Sequence, residues 1–296
     1  MNNKFYIQLS EGFSEVECLR FLQRSPFECL FQVENDRIYF PLEIEEIVFL
    51  IRVHFKKSRL WVEVLKGKLT PFSKKVIKSY ISEWLDIKRD LSDFYKMGKK
   101  DPLLKPLIKK NKGLPLIGIP SFLEAISWAI IGQQINLTFA YTLKKRLVEH
   151  YGKVILFEGR TFYLFPKATI IAQLTEEDLR PHQFSRSKIK YLTGVAQAIV
   201  DGKISKEILS KMSYEEAKNK LVELKGIGNW SADYVLMKCL RHPDAFPITD
   251  VGLHNAIKFQ LGQKEKPSIE AIEKMAVNWK GWKSYVTFYL WHSLLK

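Results

Sequence analysis

The chain has 296 residues, 46% hydrophobic and 13% aromatic, which fits one large or two ordinary domains and excludes a mainly disordered chain. Lys plus Arg total 47 against 32 Asp plus Glu, a net charge of +15 that points to an anionic partner, nucleic acid first. No stretch approaches the roughly 20 apolar residues that span a bilayer, and Cys18, Cys29 and Cys239 are too few for a four-cysteine iron–sulfur cluster or a Cys-only zinc site.

In chain order, the first part reads α+β. KFYIQL, RIYFPLEI, EIVFLIRVHF and RLWVEVL are rich in β-branched and aromatic residues and predict strands, while 13–24 and 74–85 carry apolar residues at helical spacing. Charge divides along the chain. Residues 1–51 hold 4 basic and 9 acidic side chains, whereas 52–78 hold 9 basic against Glu63 alone. Residues 96–112 hold seven lysines against Asp101, and the stretch 96–120, with Pro102, Pro106, Pro115 and Pro120, reads as a basic connector with room for a helical part.

Beyond Pro120 strand signals nearly vanish. Ser121 with Glu124 reads as a capping box opening a helix. Helices are predicted at about 121–131, 137–150, 168–173, 185–200, 213–224, 230–240, 250–260, 268–278 and 282–294. ILFEGRTFYLFP reads as a small hairpin or extended insert. The predicted domains are 1–95, mixed α/β, and 121–296, helical, joined by 96–120. The N-terminus lacks a charged-then-apolar signal layout, and three cysteines without paired spacing read as reduced thiols, so a cytoplasmic protein is expected.

The most informative segment is 221–257, LVELKGIGNWSADYVLMKCLRHPDAFPITDVGLHNAI. A helix runs into Gly226-Ile227-Gly228, and a new helix starts near Asn229. Glycines two apart leave backbone amides unshielded, and the next helix adds its N-terminal amides and positive dipole end. The turn suits a phosphate, although it also fits an ordinary helix–helix connection. Trp230 and Tyr234 are four apart and share a helix face. Asp250 opens the next helix, as an N-cap or as a carboxylate at the mouth of an aromatic cleft. Asp233 and Asp244 read as helix-end and surface charges.

LKGIGNWSADY…FPITDVGL resembles the helix–hairpin–helix and catalytic aspartate of the helix–hairpin–helix base-excision DNA glycosylases. FLEAISWAIIGQQINLTFAYTLKKRLVEHYG, at 122–152, resembles the family's Gly-Gln-Gln-Ile segment, and the runs at 84–104 and 281–291 resemble its entry and closing helices. The N-terminal α+β region resembles the extra domain of the 3-methyladenine DNA glycosylase II branch. Members that also cut the strand carry a lysine two residues after the second glycine, where an amine attacks the sugar. Trp230 stands there, and neither Lys225 nor Lys238 matches the position. Some relatives carry a tyrosine after the aspartate, where this chain has Val251.

The resemblance implies a monofunctional enzyme of base excision repair. It would flip an alkylated purine of the 3-methyladenine or 7-methylguanine type out of damaged double-stranded DNA and hydrolyse its N-glycosidic bond. Asp250 is then catalytic, stabilising positive charge on the sugar and orienting water. Gln134, with Ile135, is the intercalating wedge. Gly226, Ile227, Gly228 and Asn229 grip phosphate, and Trp230, Tyr234 and Trp291, with Trp128 and Trp282, form the base pocket. No cofactor or metal is required, a monovalent cation at the hairpin carbonyls is compatible with the family, and the implied protein is a nucleoid-associated monomer with no membrane partner. Two other readings stay open: an oxidised-purine glycosylase/lyase, and a non-catalytic helix–hairpin–helix DNA-binding protein.

Overall fold

The computed structural model describes residues 3–295. The N-terminal lobe holds strands β1 (Lys4–Gln8), β2 (Gln32–Glu34), β3 (Arg37–Ile44), β4 (Ile47–Lys56) and β5 (Arg59–Lys66), with helix α1 (Glu15–Leu22) after β1. The five strands form one antiparallel sheet in the order β1-β5-β4-β3-β2. Three consecutive two-residue turns make it a meander: Asn35-Asp36, Glu45-Glu46 and Lys57-Ser58, all with positive φ. Such turns match the right-handed strand twist, and here they form without glycine. Strand β2, only three residues long, is too short for its pattern to stand out in the sequence.

Helix α2 (Pro71–Trp84) covers the sheet, and α3 (Ser92–Lys100) and α4 (Leu104–Lys110) follow. The stretch 96–120 is therefore more than a connector. Leu104, Leu107, Leu114 and Leu116 sit in the core, while all seven lysines from Lys96 to Lys112 are exposed. Pro106 is the third residue of α4, where the backbone N–H has no helical partner to lose.

The helical part comprises α5 (Phe122–Ile131), α6 (Leu137–Tyr151), α7 (Ala168–Ile171), α8 (Glu176–Leu179), α9 (Arg186–Val200), α10 (Lys206–Leu209), α11 (Tyr214–Val222), α12 (Asn229–Lys238), α13 (Val251–Gln260), α14 (Ile269–Ala276) and α15 (Lys283–His292). The predicted insert is a hairpin, β6 (Lys153–Phe157) and β7 (Arg160–Leu164). It packs on the N-terminal sheet: Ile155 and Phe162 bury against Tyr39 and Leu50, and Gln32 donates to the Thr161 carbonyl at 2.8 Å. The two lobes also share the main core, with Phe21 of α1 lying 4.6 Å from Phe288 of α15, ring to ring. The observed architecture is the expected α+β fold, its lobes fused rather than tethered.

Candidate active site and DNA-facing groove

Gly226 turns the chain with φ +91°, and a Cβ there would meet the Tyr191 ring at 2.2 Å. Both features require glycine. Ile227 is buried and plugs the turn into the core, whereas Gly228 and Asn229 are exposed. Gly228 is the N-cap of α12 and no side chain caps that helix. Its first amides thus face outward with the helix dipole behind them, an arrangement that binds anions.

The Gly-Gln-Gln-Ile turn lies beside the hairpin. Gln134 has φ +57° and is exposed at the turn, whereas Ile135 packs against the core. Gln133, which local spacing does not single out, ties the two loops together. Its Nε2 donates to the Gly226 carbonyl at 2.8 Å and to Ser231 Oγ at 3.1 Å. Lys188 of α9 donates to the carbonyls of Ile130 (3.1 Å) and Gln133 (2.7 Å), and burial pulls its pKa below the usual lysine range. The Gly-Gln-Gln-Ile loop and the hairpin wall a single groove of about 820 Å³ with Ser185, Lys188 and Tyr191. Only the repeated glutamine hints at this tie, because the partner lies 93 residues away.

Asp250 caps α13, Oδ1 accepting the Leu253 amide at 2.7 Å. The same oxygen accepts the Trp291 indole N–H at 2.7 Å, and Oδ2 accepts that of Trp230 at 2.9 Å. Three donors from three helices fix the plane of the carboxylate. A Cβ on Gly252 would come within 2.9 Å of Asp250 Oδ1 and 3.3 Å of Trp291 Nε1, so glycine is needed for this close approach. The loop before the aspartate is braced by Asp250 N to the Pro247 carbonyl (2.9 Å) and His254 Nε2 against the Ile248 carbonyl (2.8 Å). Val251 is 61% exposed beside it.

Of the aromatic set, the structure brings together four. Tyr234 stacks on Trp230 with centroids 5.6 Å apart and lies 6.1 Å from Trp291, and the Trp128 indole N–H sits beside the buried Tyr234 hydroxyl. Trp128 in turn packs on Tyr141 at 4.7 Å. Trp282 lies elsewhere: it caps the opposite end of α15 and packs against Phe94 and Tyr285. Trp230 and Trp291 also do more than line a wall, since their N–H groups orient Asp250.

The other aspartates are committed to structure. Asp233 is not a surface charge: it is 2% exposed, accepts from the Tyr214 hydroxyl and pairs with Lys218 at 3.0 Å, burial being what pushes its pKa up. Asp244 accepts the Gly281 amide at 2.6 Å. Glu124 does not close a capping box either. Ser121 accepts the Glu124 amide, but the carboxylate turns inward to Lys144 at 3.0 Å, and Lys144 also holds Glu28 at 3.2 Å. All three side chains are nearly inaccessible. Burial raises both carboxyls, yet for Glu28 the ammonium and the Leu30 amide outweigh it and leave the pKa lowered, whereas Glu124 stays raised. Among the described residues no group of three or more His, Cys, Asp or Glu could hold a metal, and no helix is long and apolar enough to cross a membrane.

The HhH-GPD superfamily model of base excision DNA repair proteins matches residues 127–281. A Bacillus subtilis protein named DNA-3-methyladenine glycosylase is 41% identical over 99% of this chain and 98% of its own length. In structure, the 3-methyladenine DNA-glycosylase of Archaeoglobus fulgidus superposes with TM-score 0.84 at 24% identity, covering 97% of each chain. The Clostridium acetobutylicum 8-oxoguanine glycosylase/lyase bound to double-stranded DNA gives 0.76 at 18%, covering 99% of this chain and 95% of that one. These last two likenesses concern the fold.

Proposed function

The chain belongs to the HhH-GPD superfamily of base excision DNA repair proteins, and from that premise we propose that it is a monofunctional glycosylase that hydrolyses the N-glycosidic bond of alkylated purines in double-stranded DNA. The observation that carries the chemistry is Asp250 held by the indole N–H groups of Trp230 and Trp291. The uncapped hairpin amides from Gly228 onward take a phosphate, Gln134 fills the gap left in the stack, and the extruded nucleotide brings its sugar to Asp250. As the C1′–N bond lengthens, positive charge grows on the sugar and the carboxylate opposite stabilises it. Asp250 then orients water for attack at C1′ and accepts its proton, and the base leaves with the bonding pair.

No amine replaces water in this scheme. Trp230 holds the position from which a lysine would attack. Lys238, two turns further along α12, is buried with Nζ donating to the Ile117 carbonyl. Hairpin carbonyls could also hold a monovalent cation: those of Leu224 and Gly226 each accept one hydrogen bond, from Ile227 N and Gln133 Nε2, leaving a lone pair free. The excision itself is assigned to Asp250 and water, by a single chain.

Base release from heavily methylated duplex, with products identified by chromatography, tests the reading. Wild type should release 3-methyladenine or 7-methylguanine, and Asp250→Asn should lower the single-turnover rate by about 10²–10⁴-fold while keeping duplex affinity. Equal rates would remove Asp250 from the mechanism. Methylated duplex left intact by wild type would remove the activity.

A further inference from the structure

The N-terminal sheet has two unlike faces. One turns Phe5, Ile38, Val53, Leu60 and Val62 into the core beneath α2, where Phe40 stacks on Tyr80. The other is covered at one end, where the β6–β7 hairpin packs on Tyr39 and Leu50. Its open part carries a row of flat side chains. Tyr6 of β1 stands opposite Trp61 of β5, Trp61 opposite His54 of β4, and His54 opposite Arg37 of β3. Neighbouring strands lie about 4.8 Å apart, so the four groups span roughly 14 Å across the sheet. Tyr6 is 45% exposed, its ring 5.5 Å from that of Trp61, and the Arg59 guanidinium lies 4.3 Å from the Tyr6 centroid. His54 adds a ring that is neutral at pH 7, because burial and then the charges of Arg37 and Arg52 lower its pKa.

The same face is basic. Lys4, Arg37, Arg52, Lys56, Arg59 and Arg160 share it with two acids, Glu34 and Glu63. Glu63 pairs with Lys4 and Arg52, and Glu34 with Arg160, whereas Arg37, Lys56 and Arg59 are exposed. Arg160 lies over the Tyr39 ring at 4.1 Å, and Arg52 is the cross-strand neighbour of Tyr39. Burial raises the pKa of the Tyr39 hydroxyl, but hydrogen bonding from Arg52, Arg37 and Arg160 outweighs it and leaves the pKa lowered. Three guanidinium groups thus gather at one end of the row, with Lys56 and Arg59 along its flank. Rings alone suit any apolar partner, and cations alone suit any anion. Rings interleaved with cations on one open face match a ligand that repeats a flat ring and a phosphate, which is an unpaired nucleic-acid strand. A duplex fits less well, since it turns its backbone and only the edges of its bases outward.

We propose that this open sheet face binds single-stranded DNA, with bases stacking on Tyr6, Trp61 and His54 and phosphates pairing with Arg37, Arg52 and Arg59. About two or three bases fill a sheet face of this size. None of the four row residues lines the groove beside the hairpin, so the two surfaces hold DNA separately. The proposal goes beyond the glycosylase reading; only the choice of DNA over RNA draws on the family to which the chain belongs.

The test is fluorescence anisotropy on the full-length protein with a labelled oligothymidylate of about 15 nucleotides, within the range of single-strand sites, and with an undamaged duplex of the same length. Wild type should bind both. Trp61→Ala should weaken the oligothymidylate about tenfold, the loss of one stacked base, and leave the duplex within about twofold. Trp61→Phe, which keeps a ring, should hold the single strand within about threefold of wild type. If Trp61→Ala does not fold, Tyr6→Ala on the edge strand β1 carries the same expectation. Arg37→Gln should flatten the salt dependence for the single strand by about 0.7, the share of one phosphate, and leave that for the duplex unchanged. No binding of oligothymidylate by wild type, single-strand affinity unchanged in both ring variants, or equal losses for the two ligands would overturn the proposal. Tighter binding of an oligouridylate would overturn it too, by making RNA the occupant. Base release from methylated duplex should continue in these variants. Its absence from wild type would sink the glycosylase reading and leave the sheet face standing.

Discussion

On the proposed reading, two regions of this molecule meet DNA by opposite means. The segment 221–257 holds three basic residues, Lys225, Lys238 and Arg241, against Glu223, Asp233, Asp244 and Asp250. Lys238 is buried, and Arg241 pairs internally with Asp86 at 3.1 Å. On that reading its grip comes from oriented amides at the Gly226–Gly228 turn. The helix pair α3–α4 does the reverse, with seven exposed lysines between 96 and 112 and no glycine turn aimed outward. Amides fix a phosphate at one point and so set register. A field of mobile ammonium groups raises encounter rate and non-specific affinity without choosing a position. On that reading the +15 of the whole chain is mostly a steering charge, while the segment that holds Asp250 is nearly neutral.

Variants should separate the two regions. Gly226→Ala should have the largest effect of the set below. A non-glycine residue at φ +91° costs about 1–3 kcal/mol, and its Cβ would be driven into the Tyr191 ring, adding about 1–3 kcal/mol of overpacking. Denaturant unfolding should show the loss, and duplex affinity should fall in salt-insensitive fashion. Affinity retained at full stability would mean that the hairpin is not the anchor.

Gln133→Ala comes next. It releases the wedge turn from the Gly226 carbonyl and Ser231 while leaving the hairpin amides in place. Single-turnover base release should fall about tenfold, with undamaged-duplex affinity within about twofold, because the side chain that positions the wedge gives up two hydrogen bonds of about 1 kcal/mol each. A matching fall in affinity would instead make Gln133 part of the anchor. Gly252→Ala should lower the rate by a similar or smaller factor, through the displaced Asp250 and Trp291, and leave affinity untouched.

The smallest effect belongs to the lysines. Changing Lys99, Lys100, Lys109 and Lys110 to Gln should flatten the dependence of log affinity on log salt by up to about 0.9 for each phosphate that is no longer neutralised. At saturating enzyme the single-turnover rate should not change. A changed rate would place α3–α4 in the chemistry and erase the division of labour.

How much of this molecule is legible in its sequence depends on distance along the chain. Gly226, Gly228, Trp230, Tyr234 and Asp250 lie within 25 residues of one another, and turn, cap and helix face follow from local spacing. The strands of the N-terminal sheet are visible for the same reason, although its hairpin turns carry Asn-Asp, Glu-Glu and Lys-Ser in place of the usual glycine signal. The Glu28–Lys144–Glu124 cluster is not visible. Lys144 meets Glu28 across 116 residues, and Glu124, four positions from Trp128, has a sufficient local explanation as a capping residue. Pro102 and Pro106 similarly mask α4, since proline is tolerated in a helix's first turn. The indole contacts to Asp250 are also beyond reach, because spacing places a ring on a face but does not aim its N–H.

The central claim, that Asp250 and water do what a hairpin lysine does in strand-cutting relatives, is tested most directly by borohydride reduction during turnover on methylated duplex. The account predicts released alkylpurine, an intact abasic strand and no protein–DNA adduct, since Trp230 cannot form a Schiff base. A borohydride-stabilised covalent adduct accumulating with base release would contradict it.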